Sequence, residues 1–356
     1  MADQEGRGGL CTPTRWRLIA SGVLLAACPL LVLLFERFGE ALSGGYRPFS
    51  KGLLSLQATV ASVAPFALWD FLVVGFALAA LFTLVRRVVR RRPLLPWLSV
   101  VLLVSSATLF LFVSGWALNH YAPSLANEIG LEVGAYTDDE LAATTRHYLE
   151  RAAALAPSVP RGEDGELLRQ DFYELARIAG GSYRELSESY GIFEGSQAPV
   201  KALLLLGEPL LLSGHVGIFF SPTGESSVPV NCAVADLPFT MCHEAAHRLA
   251  IAREQEANFA AFLACTMSDD VRFSYSGYYS AFSFCYGALR RSDPDRAARL
   301  LDEVRTSGLD AGVGLVLADL VATGRHYDAY EGWFGRVGSA VNDGYLRSFG
   351  EREGVK

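Results

Sequence analysis

The run His243-Glu244-Ala245-Ala246-His247 carries the most specific chemistry in the chain. Histidines four apart on a helix project from one face about 6 Å apart, so both imidazoles can reach one Zn²⁺. Glu244 is turned about 100° from His243. That sets its carboxylate beside the metal, where it can take a proton from zinc-bound water. A catalytic zinc also needs a third protein ligand and an open position, and Glu254 is the expected ligand. On one straight helix it would lie about 10 Å beyond His247 at about 1.5 Å per residue. The chain is therefore expected to turn within 249–253 and to start a second helix at Glu254. On that helix Glu254, Asn258 and Ala261 share a face, and Asn258 is placed to hydrogen-bond a metal ligand. Glu256 points elsewhere and is the second choice as ligand. Small residues at Ala257, Ala260, Ala261 and Ala264 let the two helices pack closely. His215 and His326 take no assigned role.

Two further features sit near this stretch. Gly217-Ile218-Phe219-Phe220-Ser221-Pro222 precedes the zinc helix and reads either as an edge strand able to pair with an extended substrate or as an ordinary sheet strand. Tyr275, Tyr278 and Tyr279 follow the ligand helix, where a phenol would stabilise the oxyanion of a tetrahedral intermediate; packing is the competing role for all three.

The elements that must position these residues are mostly helical. Thr137-Asp138-Asp139-Glu140 is a capping box, and Leu141, Thr145, Tyr148, Leu149, Ala152 and Leu155 follow at helical spacing. Another helix is expected over 164–179. Val200 to Leu206 and His215 to Ser221 are short apolar runs bounded by Gly and Pro, which predicts strands. From Leu237 onward the helical pattern resumes, with breaks expected at Ser307-Gly308, Gly324 and Gly350.

The chain has 356 residues, 51% of them apolar and 19% charged. Residues 1–118 hold 11 basic and 5 acidic side chains, a net of +6, and residues 119–356 hold 20 and 33, a net of −13. This asymmetry argues for a membrane-embedded part joined to a water-facing part. It argues against nucleic-acid binding, since the larger part has no basic surface. Three stretches match the roughly 20 apolar residues a bilayer requires, at about 18–35, 65–85 and 94–118. Leu25-Ala26-Ala27-Cys28 has the form of a lipoprotein signal, but the apolar run Pro29 to Phe35 favours a span. Arg86, Arg87, Arg90, Arg91 and Arg92 between the second and third spans, with Arg7, Arg15 and Arg17 before the first, predict a cytoplasmic amino terminus. Residues 36–64 and the domain 119–356 are then extracytoplasmic. Trp69 and Trp116 are expected at the outer interface, Trp97 at the inner one, and Asp70 as an interfacial acid. Cys232, Cys242, Cys265 and Cys285 fall in the external part, as free thiols or in one of three pairings.

The pattern Glu254-Gln255-Glu256-Ala257-Asn258 resembles the third-ligand helix of gluzincin-type metallopeptidases. The whole chain resembles more closely an uncharacterised bacterial membrane family, domain of unknown function 3810. The blocks that carry the resemblance are Pro65-Phe66-Ala67-Leu68-Trp69-Asp70, Gly115-Trp116-Ala117-Leu118-Asn119, Phe220-Ser221-Pro222-Thr223-Gly224-Glu225, Pro238-Phe239-Thr240, the His/Glu stretch and Phe273-Ser274-Tyr275-Ser276-Gly277-Tyr278. The chain departs from that family in having Ala250 where Gly is common and Asp70 where Glu is usual. The resemblance implies this architecture and a zinc ion, and supplies no substrate.

The expected fold is mainly α: three transmembrane helices and then a mostly helical, α+β gluzincin-like domain with a small sheet. The expected function is a multi-pass zinc metallopeptidase of the bacterial cell membrane. Its zinc is held by His243, His247 and Glu254, Glu244 is the general base, and the partners are the lipid bilayer and a peptide substrate. Two other readings use the same residues: a zinc-binding sensor or assembly protein without proteolysis, and a zinc amidase acting on cell-envelope substrates.

Overall fold

The computed structural model describes residues 12–349; Arg7, Cys11 and the break expected at Gly350 lie outside them. The chain is mainly helical with one small mixed sheet. Three helices are long and apolar enough to cross a membrane: α1 (Thr12–Ala61), α2 (Leu68–Val89) and α3 (Leu95–Gly115).

α1 departs from expectation. The segment 36–64, for which no helix was expected beyond the first span, is almost wholly the second half of a continuous 50-residue helix. At about 1.5 Å per residue α1 is about 75 Å long, more than twice a hydrocarbon core. Gly44, Gly45 and Pro48 disfavour helix locally, and tertiary bonds override them. Arg47 binds Glu128 at 2.8 Å and the Pro123 carbonyl at 2.9 Å. Ser50 Oγ donates to the Gly115 carbonyl at 2.6 Å, and Gln57 to the Pro222 carbonyl at 3.1 Å. The second half of α1 is thus a stalk bonded to the end of α3, to Pro123 and Glu128, and to Pro222.

After a 3₁₀ turn at Ala117–Tyr121 come α4 (Leu125–Ile129), α5 (Asp138–Leu155), α6 (Phe172–Gly181) and α7 (Arg184–Ser189). The capping box at Thr137 and Glu140 is formed. The helix expected over 164–179 begins only at Phe172, capped by Asp171. Gly165 at φ 80° holds a turn there, and Arg161 pairs with Leu167.

β1 (Lys201–Leu203), α8 (Gly207–Leu212), β2 (Ile218–Phe220) and β3 (Glu225–Pro229) follow. The sheet order is β1-β3-β2, with β1 parallel and β2 antiparallel to β3. The outer side of β1 is covered by the Phe66–Ala202 bridge. The central strand has no apolar pattern to announce it, because Glu225-Ser226-Ser227 is polar yet buried. Each polar group is paid for by a bond to another element: Glu225 accepts from the N–H of Leu68 and Trp69, Ser226 donates to the Glu244 carbonyl, and Ser227 accepts from Trp69 Nε1.

α9 (Leu237–Arg248), α10 (Glu254–Thr266), α11 (Val271–Ser292), α12 (Pro294–Val304), α13 (Asp310–Asp328) and α14 (Trp333–Ser348) complete the described chain. Gly308 breaks the helix at φ 93°, whereas Gly324 lies inside α13. One core gathers around α9 and α10, and another around α5, α11 and α13. Trp69 and Trp116, expected at a lipid interface, are both buried in protein. Asp70, expected as an interfacial acid, is fully buried and accepts the N–H groups of Leu204, Leu205 and Leu206.

Candidate metal centre

His243 and His247 lie one turn apart on α9, which buries its Leu237, Met241, Cys242, Ala245 and Ala246. α9 ends at Arg248, and the chain reverses through Ala250 at φ 64°. That left-handed conformation costs a residue with a Cβ about 1–2 kcal/mol, and a buried loop over Leu249 to Ala252 holds it. The reversal brings Glu254, the first residue of α10, back onto the histidines.

The three donor atoms converge. His243 Nε2 and His247 Nε2 are 3.1 Å apart, and Glu254 Oε2 and Oε1 lie 3.2 Å and 3.7 Å from them respectively. Ligands at about 2.0–2.1 Å in a tetrahedron stand about 3.3 Å from one another, so the set fits zinc. Both outer ring nitrogens are engaged: His243 Nδ1 donates to Asn258 Oδ1 at 2.9 Å, and His247 Nδ1 to the Ile251 carbonyl at 2.8 Å. These bonds fix the tautomers and leave two Nε2 lone pairs facing each other. A cation between them removes the repulsion.

The electrostatics agree with a cation site. Burial pulls His243 down, but the bond and charge of Glu254 raise it to about 9. Burial lowers His247 to about 4. Burial pushes Glu254 up, yet the facing histidines hold it at about 2. Without a metal, a proton takes the cation's place.

Glu244 is 4% exposed, and its Oε2 has no hydrogen-bond partner among the described residues. Burial raises its pKa to about 8. Its carboxylate occupies space that only a glycine leaves free: a Cβ on Gly217 would lie 2.4 Å from Glu244 Oε1. Ser226 Oγ holds the Glu244 carbonyl at 2.6 Å. Gly217 and Ser226 gave no signal alone, since neither residue type is a ligand or a base.

A cleft of about 940 Å³ opens onto His243, Glu244, His247, Glu254 and Asn258. Gly217, Ile218 and Phe219 line it, and β2 is an outer strand of the sheet. Trp116 also lines it and donates Nε1–H to the His247 carbonyl at 2.9 Å. Glu256 is taken up by Arg253 at 2.8 Å. Tyr275 and Tyr278 are not brought to the cluster. Tyr275 is bonded to Asp319 and Arg161, and Tyr278 packs on Tyr148, Phe262 and Arg151. The phenols that line the cleft are instead Tyr327 and Tyr345, the latter bonded to His120 at 2.9 Å. His215 lies at the cleft, bonded to Ser213. Cys232, Cys242, Cys265 and Cys285 are free thiols.

Among known proteins, the family model described as "Protein of unknown function (DUF3810)" matches residues 46–356. No curated protein and no solved structure matches the chain.

Proposed function

We propose that this chain, which belongs to that DUF3810 family, is a membrane-anchored zinc metallopeptidase whose metal is held by His243, His247 and Glu254. The observation that carries the reading is the convergence of those donors next to a buried, uncommitted Glu244. Zn²⁺, when bound, supplies Lewis acidity at its open position, lowering the pKa of water and polarising a carbonyl. The protein's own groups account for the rest. Asn258 and the Ile251 carbonyl hold the two imidazoles in the ligating tautomer. Glu244, kept ionised beside a bound cation despite its burial, accepts the proton of the attacking water as the oxygen–carbon bond forms. It then delivers that proton to the amide nitrogen as the carbon–nitrogen bond breaks. β2 offers its outer backbone to an extended substrate.

The test is zinc content and peptide hydrolysis of the full chain in detergent, measured side by side. Glu244→Gln is expected to keep one zinc per chain and to lose at least about 10³-fold in kcat/KM. Undiminished hydrolysis would overturn the mechanism. Stoichiometric zinc in Glu254→Ala would overturn the ligand set.

A further inference from the structure

The cleft is built partly from the apolar helices. Phe112 and Trp116 form one of its walls. α3 has 21 residues without a charge, about 32 Å of helix and close to the thickness of a hydrocarbon core. Phe112 lies in its last turn and Trp116 just beyond. With α3 read as a span, that wall stands at the boundary between hydrocarbon and headgroups.

The facing wall is α14, through Gly338, Val341, Asn342 and Tyr345. The Tyr345 ring is 6.0 Å from that of Phe112, so the carboxyl-terminal end of α14 sits against the last turn of α3. Along the rest of α14, Trp333, Phe334, Val337 and Val341 are 63%, 64%, 41% and 68% exposed. At about 100° per residue these four fall within one arc of about 100°, adjoining the cleft-lining stripe. Arg336, Ser339 and Asp343 lie outside it. An uncovered apolar stripe with Trp and Phe at one end, on a helix whose charged residues lie off the stripe, is the pattern of a helix lying in a bilayer interface. Between the walls the lining is again apolar, including Leu210, Val216, Ile218 and Phe284.

From this placement we infer that the substrate is a polypeptide at the bilayer surface, cut within a few residues of a membrane-embedded apolar segment. The inference rests on the metallopeptidase reading and names its substrate class. A chain leaving the membrane beside α3 enters the cleft at Phe112 and Trp116, passes His243 and Glu254, and has its apolar side chains received by the lining. Tethering to the same surface raises its effective concentration, but only a short tether places the reacting bond at this height.

The experiment uses the full chain in liposomes and a degenerate, internally quenched peptide library in three formats: free, joined to an apolar 20-residue helix by four residues, and joined by 30. The four-residue format is expected to be hydrolysed at least tenfold faster in kcat/KM than either other format. The double variant Trp333→Glu, Val337→Glu is expected to lose about tenfold on that format and nothing on the free library, with zinc content unchanged. In an independent readout, brominated lipids are expected to quench the wild-type fluorescence more than that of Trp333→Phe. Equal rates on free and short-tethered libraries, or on short and long tethers, with Glu244-dependent hydrolysis intact, would overturn the substrate class alone. If the zinc-loaded chain hydrolyses none of the three, the metallopeptidase reading fails and the inference falls with it.

Discussion

The side chains that define the centre are few, and their positions depend on neighbours with no chemistry of their own. Gly217 is the clearest case, because the Glu244 carboxylate fills the space of the missing Cβ. Gly217→Ala is expected to displace that carboxylate while sparing the ligands. Zinc content should stay at one per chain as kcat/KM falls about 100-fold, the loss associated with a misplacement of about 1 Å. Parallel metal analysis and kinetics check both halves. The convergence of His243, His247 and Glu254 was legible in the sequence, because the i, i+4 spacing and the small residues of 257–264 leave few arrangements. The phenols were not. Tyr275 and Tyr278 follow the ligand helix closely in sequence, but α11 turns them toward α5 and α13. Tyr345, 98 residues after His247 in sequence, reaches the cleft only because α14 returns to the end of α3.

At the scale of elements, α9 begins on a costly group. Asp236 precedes its first residue, half-buried among Tyr327, Cys232 and Tyr279, and burial raises its pKa to about 6 against an ordinary value near 3.9. The folded state therefore holds this proton more tightly than the unfolded state. Stability contributed at this site is retained below about pH 4, falls as pH rises toward 6, and stays reduced above. Asp236→Asn removes the titration. Its stability relative to wild type, taken from thermal melts, is expected to rise by about 2 kcal/mol between pH 4.5 and 7.5; a difference independent of pH would refute this account. Elements with strong local signals, such as the capped α5 and the three apolar helices, were readable in advance. The second half of α1 and the strand β3 were not. Gly44, Gly45 and Pro48 in one, and three consecutive polar residues in the other, are locally unfavourable, and each is stabilised by bonds from residues more than 15 positions away in sequence.

Across the whole molecule, two carboxylates cross between the apolar helices and the rest of the chain. Asp70 of α2 holds three N–H groups of the turn after β1, and Glu225 of β3 holds two at the start of α2. Asp70→Ala would leave three donors without an acceptor, at about 1–3 kcal/mol each. The variant is expected to lose zinc and to melt well below wild type in detergent, with calorimetry and metal content as the measurements. Asp70→Glu, which keeps the acceptors, should retain most of both. The same crossing imposes an order of assembly. During synthesis α1 and α2 leave the ribosome long before β1 and β3, so the helices are in place as a template when the sheet that flanks Glu244 is made. A chain deprived of α2 would lack the partners for that sheet, and with them the support of the Glu244 flank. The surroundings of Glu244 are in this way tied to residues far outside the cleft: a change at the start of α2 is felt, through β3, beside that carboxylate.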